Sequence, residues 1–207
     1  MAVTTKQIKE LRDATGAGMM DCKEALVNAE GDFDKAVDFL REKGLSKAAK
    51  RAGREASDGI VEVYTHGDGR IGVMVEVNSE TDFVSRSEAF RHFAHEIALQ
   101  VAASSPLCVS EDQLTEEALE RERNVSRNQA IEEGKPENIL DRIVEGRLEK
   151  YKDEVVLLRQ TYIRDTSIKV QDLLSEAISS IGENIVIRRF VRWELGEHAQ
   201  GDEEEEE

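Results

Sequence analysis

Ile71, Val73, Val75 and Val77 alternate with Gly72, Met74, Glu76 and Asn78, the period of a strand with one buried face. From Phe90 the period changes. Phe90, Phe93, Ala94, Ile97, Ala98 and Val101 recur at helical spacing, so the residues between form a short strand-to-helix connection. Ile60 to Thr65 reads as a strand joined to the first across His66-Gly67-Asp68-Gly69, a hairpin loop. Pro106 closes the helix. Thr115 to Glu133 is charged enough for a solvated helix ended by Gly134, and Pro136 suits the first turn of the next, whose stripe is Ile139, Leu140, Ile143, Val144 and Leu148. A last helix with Val170, Leu173, Leu174, Ala177, Ile178 and Ile181 leads to a strand from Asn184 to Leu195. A hairpin, helices and a returning strand predict an α+β core over 58–197 with a small antiparallel sheet.

Ahead of that core, Thr4-Thr5-Lys6-Gln7 offers a capping box, with Ile8 and Leu11 starting an apolar stripe that Gly16-Ala17-Gly18 breaks. A second helix through Cys22, Ala25, Leu26 and Ala29 turns at Glu30-Gly31-Asp32 into a third, with Phe33, Ala36, Val37 and Leu40 inward and Gly44 as its stop. The pattern resembles a ubiquitin-associated-type three-helix domain over 1–44. Met19 and Met20 lie at its first turn, where adaptable apolar side chains suit either an interface or gap filling. Lys47, Lys50, Arg51 and Arg54 among Ala and Gly make 45–57 a basic linker with helical tendency.

Composition narrows the function classes. With 207 residues and 39% hydrophobic content the chain can bury a core, and aromatics at 5% make that core aliphatic. A formal charge of -16 opposes direct nucleic-acid binding, which needs a basic footprint. Part of that charge lies in Asp202 and Glu203 through Glu207, which predict a disordered acidic tail over 198–207. Cys22 and Cys108 stand far apart without a CxxC pair, as expected in a reducing cytosol. No run is apolar for about twenty residues, so the expectation is a soluble, cytoplasmic protein that does not engage membranes.

Enzymatic chemistry finds little support. Gly16-Ala17-Gly18 lacks the frame of a phosphate loop. His92 and His95 stand at i and i+3 without a third ligand, which favours solvated or capping roles over a metal. Cys22 reads as buried rather than nucleophilic. Neither cofactor nor metal is expected.

The run Glu76-Val77-Asn78-Ser79-Glu80-Thr81-Asp82-Phe83-Val84-Ser85-Arg86 places a large apolar side chain beside a carboxylate where the strand gives out. Spacing alone leaves two readings of Phe83: a core side chain folded back, or a probe held out toward another protein. This run resembles the central signature of the elongation factor Ts family. Leu11-Arg12-Asp13-Ala14-Thr15-Gly16-Ala17-Gly18-Met19-Met20-Asp21-Cys22-Lys23-Glu24-Ala25-Leu26 is similar to its N-terminal signature, and Ile181-Gly182-Glu183-Asn184-Ile185-Val186-Ile187-Arg188-Arg189-Phe190 matches a third stretch in the family's order. The length resembles the short form, without room for the second core subdomain and protruding coiled coil of longer members. The resemblance implies guanine-nucleotide exchange on elongation factor Tu by protein-protein binding. GDP-bound and nucleotide-free elongation factor Tu are the implied partners, and a homodimer of the short chain is expected. Thr81, Asp82, Phe83 and Val84 are the implied Mg2+-dislocating group, and Leu11, Met19 and Met20 the implied docking residues. The alternative is a ubiquitin-associated-type adaptor with its binding confined to 1–44; a hydrolase built on His92 and His95 is a third reading.

Overall fold

The structure is a computed structural model and describes residues 3–197, so the expected acidic tail over 198–207 lies outside the described residues. In chain order it contains α1 (Thr5–Thr15), α2 (Met19–Asn28), α3 (Phe33–Arg51), β1 (Asp58–His66), β2 (Ile71–Ser79), α4 (Asp82–Ser85) and α5 (Glu88–Ser104). There follow α6 (Glu116–Glu132), α7 (Glu137–Val155), β3 (Thr161–Tyr162), β4 (Asp165–Lys169), α8 (Val170–Ile181) and β5 (Ile185–Glu194). The contacts divide into two units. Among the described residues, one gathers 3–60 with Asn78–Phe93 and Gln171–Val186, the other Val61–Val77, Ala94–Val170 and 187–197.

In the first unit the capping box forms as the sequence predicts. Thr4 N–H donates to Gln7 Oε1 at 3.0 Å, and Gln7 N–H to Thr4 Oγ1 at 3.3 Å. Gly16 ends α1 in the left-handed region at φ 67°, its N–H returning to the Arg12 carbonyl. Ile8, Leu11, Cys22, Ala25, Leu26, Ala29 and Ala36 close the bundle core. Gly44 does not stop α3, contrary to expectation. The helix runs on to Arg51, and only Ala52 to Ser57 connect it to β1. Gly44 keeps a negative φ and is buried; a Cβ there would lie 3.7 Å from Ser179 Cβ on α8. Its small size serves close helix packing rather than termination, and Ala48 is buried one turn later.

The main sheet has the order β1-β2-β5. Arg70 and Leu195, at the start of β2 and the end of β5, share a hydrogen bond of 2.8 Å, which makes that pairing antiparallel. The expected α+β fold with a small antiparallel sheet is therefore present. Val73, Val75 and Val77 are buried, as are Ile97, Ala98 and Val101 of α5. Glu62 and Tyr64 reach His95 of α5, and Arg192 donates to the Ala102 carbonyl, so these side chains mark the helix-covered face. By alternation Val61, Val63, Met74 and Trp193 point the other way, where the Glu76–Arg189 ion pair also lies. All four are exposed.

Two features escape the sequence pattern. Helix α6 is not simply solvated: it pairs with α7 as an antiparallel helical hairpin, burying Ser126 and Ala130 with Leu140, Val144 and Leu148. Arg147 crosses from α7 to the Ser126 carbonyl at 3.3 Å and to Glu133 at 2.8 Å. The second is the short antiparallel pair β3-β4, in a stretch without clear periodicity.

Candidate partner-docking site

The connection after β2 is tied down almost entirely by hydroxyl groups. Ser79 Oγ donates to the Thr81 carbonyl at 3.0 Å. Buried Ser85 Oγ lies 3.0 Å from both the Asp82 carbonyl and Asp58 Oδ1, which compete for its one proton. Ser87 Oγ donates to the Val84 carbonyl at 2.8 Å and accepts the Phe90 N–H at 3.3 Å. Small polar side chains compete well for nearby backbone groups, which is why a serine-rich stretch makes a short, defined turn here instead of extending the strand.

Thr81 precedes the single turn of α4 in extended conformation, with φ -134° and ψ 157°. Both of its donors go to Glu183, the N–H to Oε2 at 3.0 Å and the hydroxyl to Oε1 at 2.7 Å. Neighbouring Glu80 accepts the Asn184 N–H at 2.6 Å, and Asn184 Nδ2 donates to the Arg54 carbonyl at 2.8 Å. Arg54 also lies 3.5 Å from the Glu80 carboxylate. Gly182, in the left-handed region at φ 95°, turns the chain out of α8 so that Glu183 and Asn184 reach these partners.

On this turn Phe83 is 84% exposed, which decides between its two readings: it is held out, not folded back. Asp82 pairs with Arg86 at 2.9 Å and Val84 is half-buried. A phenyl ring this exposed leaves its apolar surface unburied within its own chain.

The second expected group is split by the structure. Met20 is 73% and Met19 45% exposed at the start of α2. Leu11 is fully buried in the bundle core, so it supports that surface from behind and cannot touch a partner directly. Below the methionines Asp21 receives Lys43 at 2.9 Å and Lys47 at 2.8 Å, both from α3. Hydrogen bonds donated by Lys47 and then Lys43 hold the Asp21 carboxyl below the usual range; those that Lys43 donates to Glu24 and then Asp21 raise its ammonium.

Sequence reasoning assigned no role to Glu183, Asn184, Glu80 or Arg54. The available signal was Gly182-Glu183-Asn184 between a helix and a strand, a glycine turn followed by two side chains able to bridge. The other candidates stay structural. Burial pushes the Cys22 and Cys108 thiols up, away from nucleophilic thiolate. His95 Nδ1 lies 2.9 Å from Glu62, and no group of three or more His, Cys, Asp or Glu able to hold a metal occurs among the described residues.

The family model for elongation factor TS matches residues 3–197. Elongation factor Ts of Caldanaerobacter subterraneus subsp. tengcongensis is 58% identical over 195 residues, 94% of this chain and 98% of the relative. Those of Carboxydothermus hydrogenoformans and Acetivibrio thermocellus are each 55% identical, over 98% of this chain and 94% of theirs. The chain belongs to the elongation factor Ts family.

Proposed function

We propose that this protein is a guanine-nucleotide exchange factor for elongation factor Tu, acting by protein-protein binding in translation elongation. The observation that carries the reading is Phe83, exposed at the tip of a turn whose backbone is fixed on every side. In a GTPase the nucleotide is held by the phosphate loop and by Mg2+ bridging phosphate and protein oxygens. A factor that binds the nucleotide-free form better than the GDP form must, by linkage, weaken GDP by the same ratio. Burying the Phe83 ring is worth about 1.5 to 3 kcal/mol, roughly a ten- to hundredfold change in relative affinity if realised only in the nucleotide-free state. Asp82, carried on the same turn, brings a carboxylate that competes for the contacts holding the metal, with Thr81 and Val84 as its frame. Met19 and Met20 supply a separate apolar grip on the same partner.

A second copy of this chain is the proposed partner for the uncovered sheet face. Val61, Val63, Met74 and Trp193 form one apolar patch on β1, β2 and β5. A two-fold packing of two such faces buries it against itself.

Release of fluorescent GDP from elongation factor Tu, with and without the full chain, tests the main reading. Acceleration at catalytic concentrations of the chain is expected; an unchanged rate overturns it.

A further inference from the structure

We infer that Glu183 is a positioning residue for exchange. Its carboxylate sets the angle at which Asp82 and Phe83 leave β2, and so governs how fast a bound partner releases nucleotide rather than how tightly it docks. The inference rests on the reading of Asp82 and Phe83 as the exchange group.

Phe83 itself touches little of its own chain, so its direction is inherited from the backbone of Thr81 to Ser85. After Ser79 that backbone leaves the sheet and has no ladder partner to fix it. Thr81 is the pivot. Its N–H and hydroxyl diverge, and Glu183 takes one with each carboxylate oxygen, at 3.0 and 2.7 Å. Two bonds from one planar group to one residue remove rotation as well as translation, and both are charge-assisted. The acceptor is anchored in turn. Glu183 follows Gly182 at the end of α8, and its neighbour Asn184 is buried, with its N–H on Glu80 and its amide on Arg54. Glu80 and Thr81 are therefore gripped by consecutive residues of one turn, more than a hundred positions later in the chain. Ser79 and Ser85 secure the two ends of the segment, and Glu183 holds its first corner at Thr81 from outside.

The Glu183 carboxylate is half-exposed, so removing it leaves the Thr81 donors to water and does not bury an unpaired group. The fold then survives and the pivot loosens. An error of about one ångström in a reacting group can cost as much as a hundredfold in rate. Docking through Met19 and Met20 is untouched.

The test uses the full chain with elongation factor Tu carrying fluorescent GDP, reading the maximal release rate and the half-saturating concentration separately. Glu183→Ala should lower the maximal rate roughly tenfold or more, with the half-saturating concentration unchanged within about twofold. Glu183→Gln, which keeps an acceptor for the Thr81 N–H, should recover much of the rate. In a Phe83→Ala background, Glu183→Ala should cost clearly less than in the wild type, since part of its effect passes through that side chain and the rest through Asp82. If Phe83→Ala slows release but Glu183→Ala leaves the maximal rate intact, or if the two effects multiply in full, the inference is wrong and the exchange reading stands. If Phe83→Ala exchanges at the wild-type rate, the exchange reading fails and takes the inference with it.

Discussion

Asp82 and Arg86 face each other across one turn, carboxylate to guanidinium at 2.9 Å, with Arg86 largely and Asp82 about half in solvent. Exposed pairs of this spacing contribute about 0.3 to 0.5 kcal/mol. That is too little to restrain Asp82 when a partner offers a better site. Arg86→Gln should therefore change the half-saturating concentration for exchange by no more than about twofold. A tenfold loss in the release assay would mean that Arg86 itself contacts the partner.

Phe83→Ala separates anchor from core. With the ring in solvent, the substitution should change folding stability by less than about 0.5 kcal/mol, read by thermal or urea unfolding. Nucleotide release should slow by at least about tenfold. A loss of several kcal/mol would restore the core reading of this residue.

Leu11 and Met20 predict opposite phenotypes, although both were expected to dock. Met20→Ala should leave unfolding unchanged and raise the half-saturating concentration, because its side chain stands in water. Leu11→Ala opens a cavity in a small bundle and should cost about 2 to 5 kcal/mol. Its exchange defect should appear only as the bundle unfolds, so the two are told apart by comparing activity with circular dichroism across temperature.

The outer sheet face predicts self-association. Sedimentation at micromolar concentration should give a species of twice the 23.2 kDa chain mass, with Trp193 fluorescence shifted to the blue relative to the dissociated chain. Val63→Glu places a charge on that face and should yield a stable monomer. A wild-type monomer with full exchange activity would remove any role for the pairing.

Acid should act through the ion network of the second unit. Lys152 and then Arg159 depress the Glu111 carboxyl; Arg159 and then Lys152 depress that of Glu149. Depressed carboxyls leave the unfolded chain with more bound protons, so their stabilisation is complete above the usual carboxylate value and disappears as pH falls through the folded values. The melting temperature should drop between about pH 5 and pH 3. Glu111→Gln with Glu149→Gln should lower it near neutrality and flatten the drop; an unaltered acid limb would show that other carboxylates dominate.

Periodicity located most of the elements because β2 and α5 each bury one clean face: Val73, Val75 and Val77 at period two, Phe90 through Val101 at helical spacing. The same rule misplaced the end of α3, where a late glycine commonly signals a cap but at Gly44 admits α8. It also missed the seam of α6, since Ser126 and Ala130 are small rather than apolar and leave little trace in a hydrophobic pattern. Phe83 was undecidable by spacing, standing where neither period applies. Glu183 was out of reach for another reason: its partner Thr81 is 102 positions away, and hydrogen bonds across such separations have no local signature.

The unbroken α3 gives the first unit the character of a caliper. The middle and penultimate turn of the helix hold Asp21, directly after Met20, through Lys43 and Lys47. At its last residue, Arg51 donates to the Ile178 carbonyl on α8, the helix that delivers Glu183 to Thr81. Lys43 and Arg51 are separated by eight helical residues, about 12 Å of rise that thermal motion barely stretches. A flexible tether would let methionine grip and phenyl probe find their sites independently on any shape of partner. On the reading proposed above, jaws of fixed gauge would instead admit only a partner whose two receiving sites match their opening, and a partner that does not match would have to bend to be held.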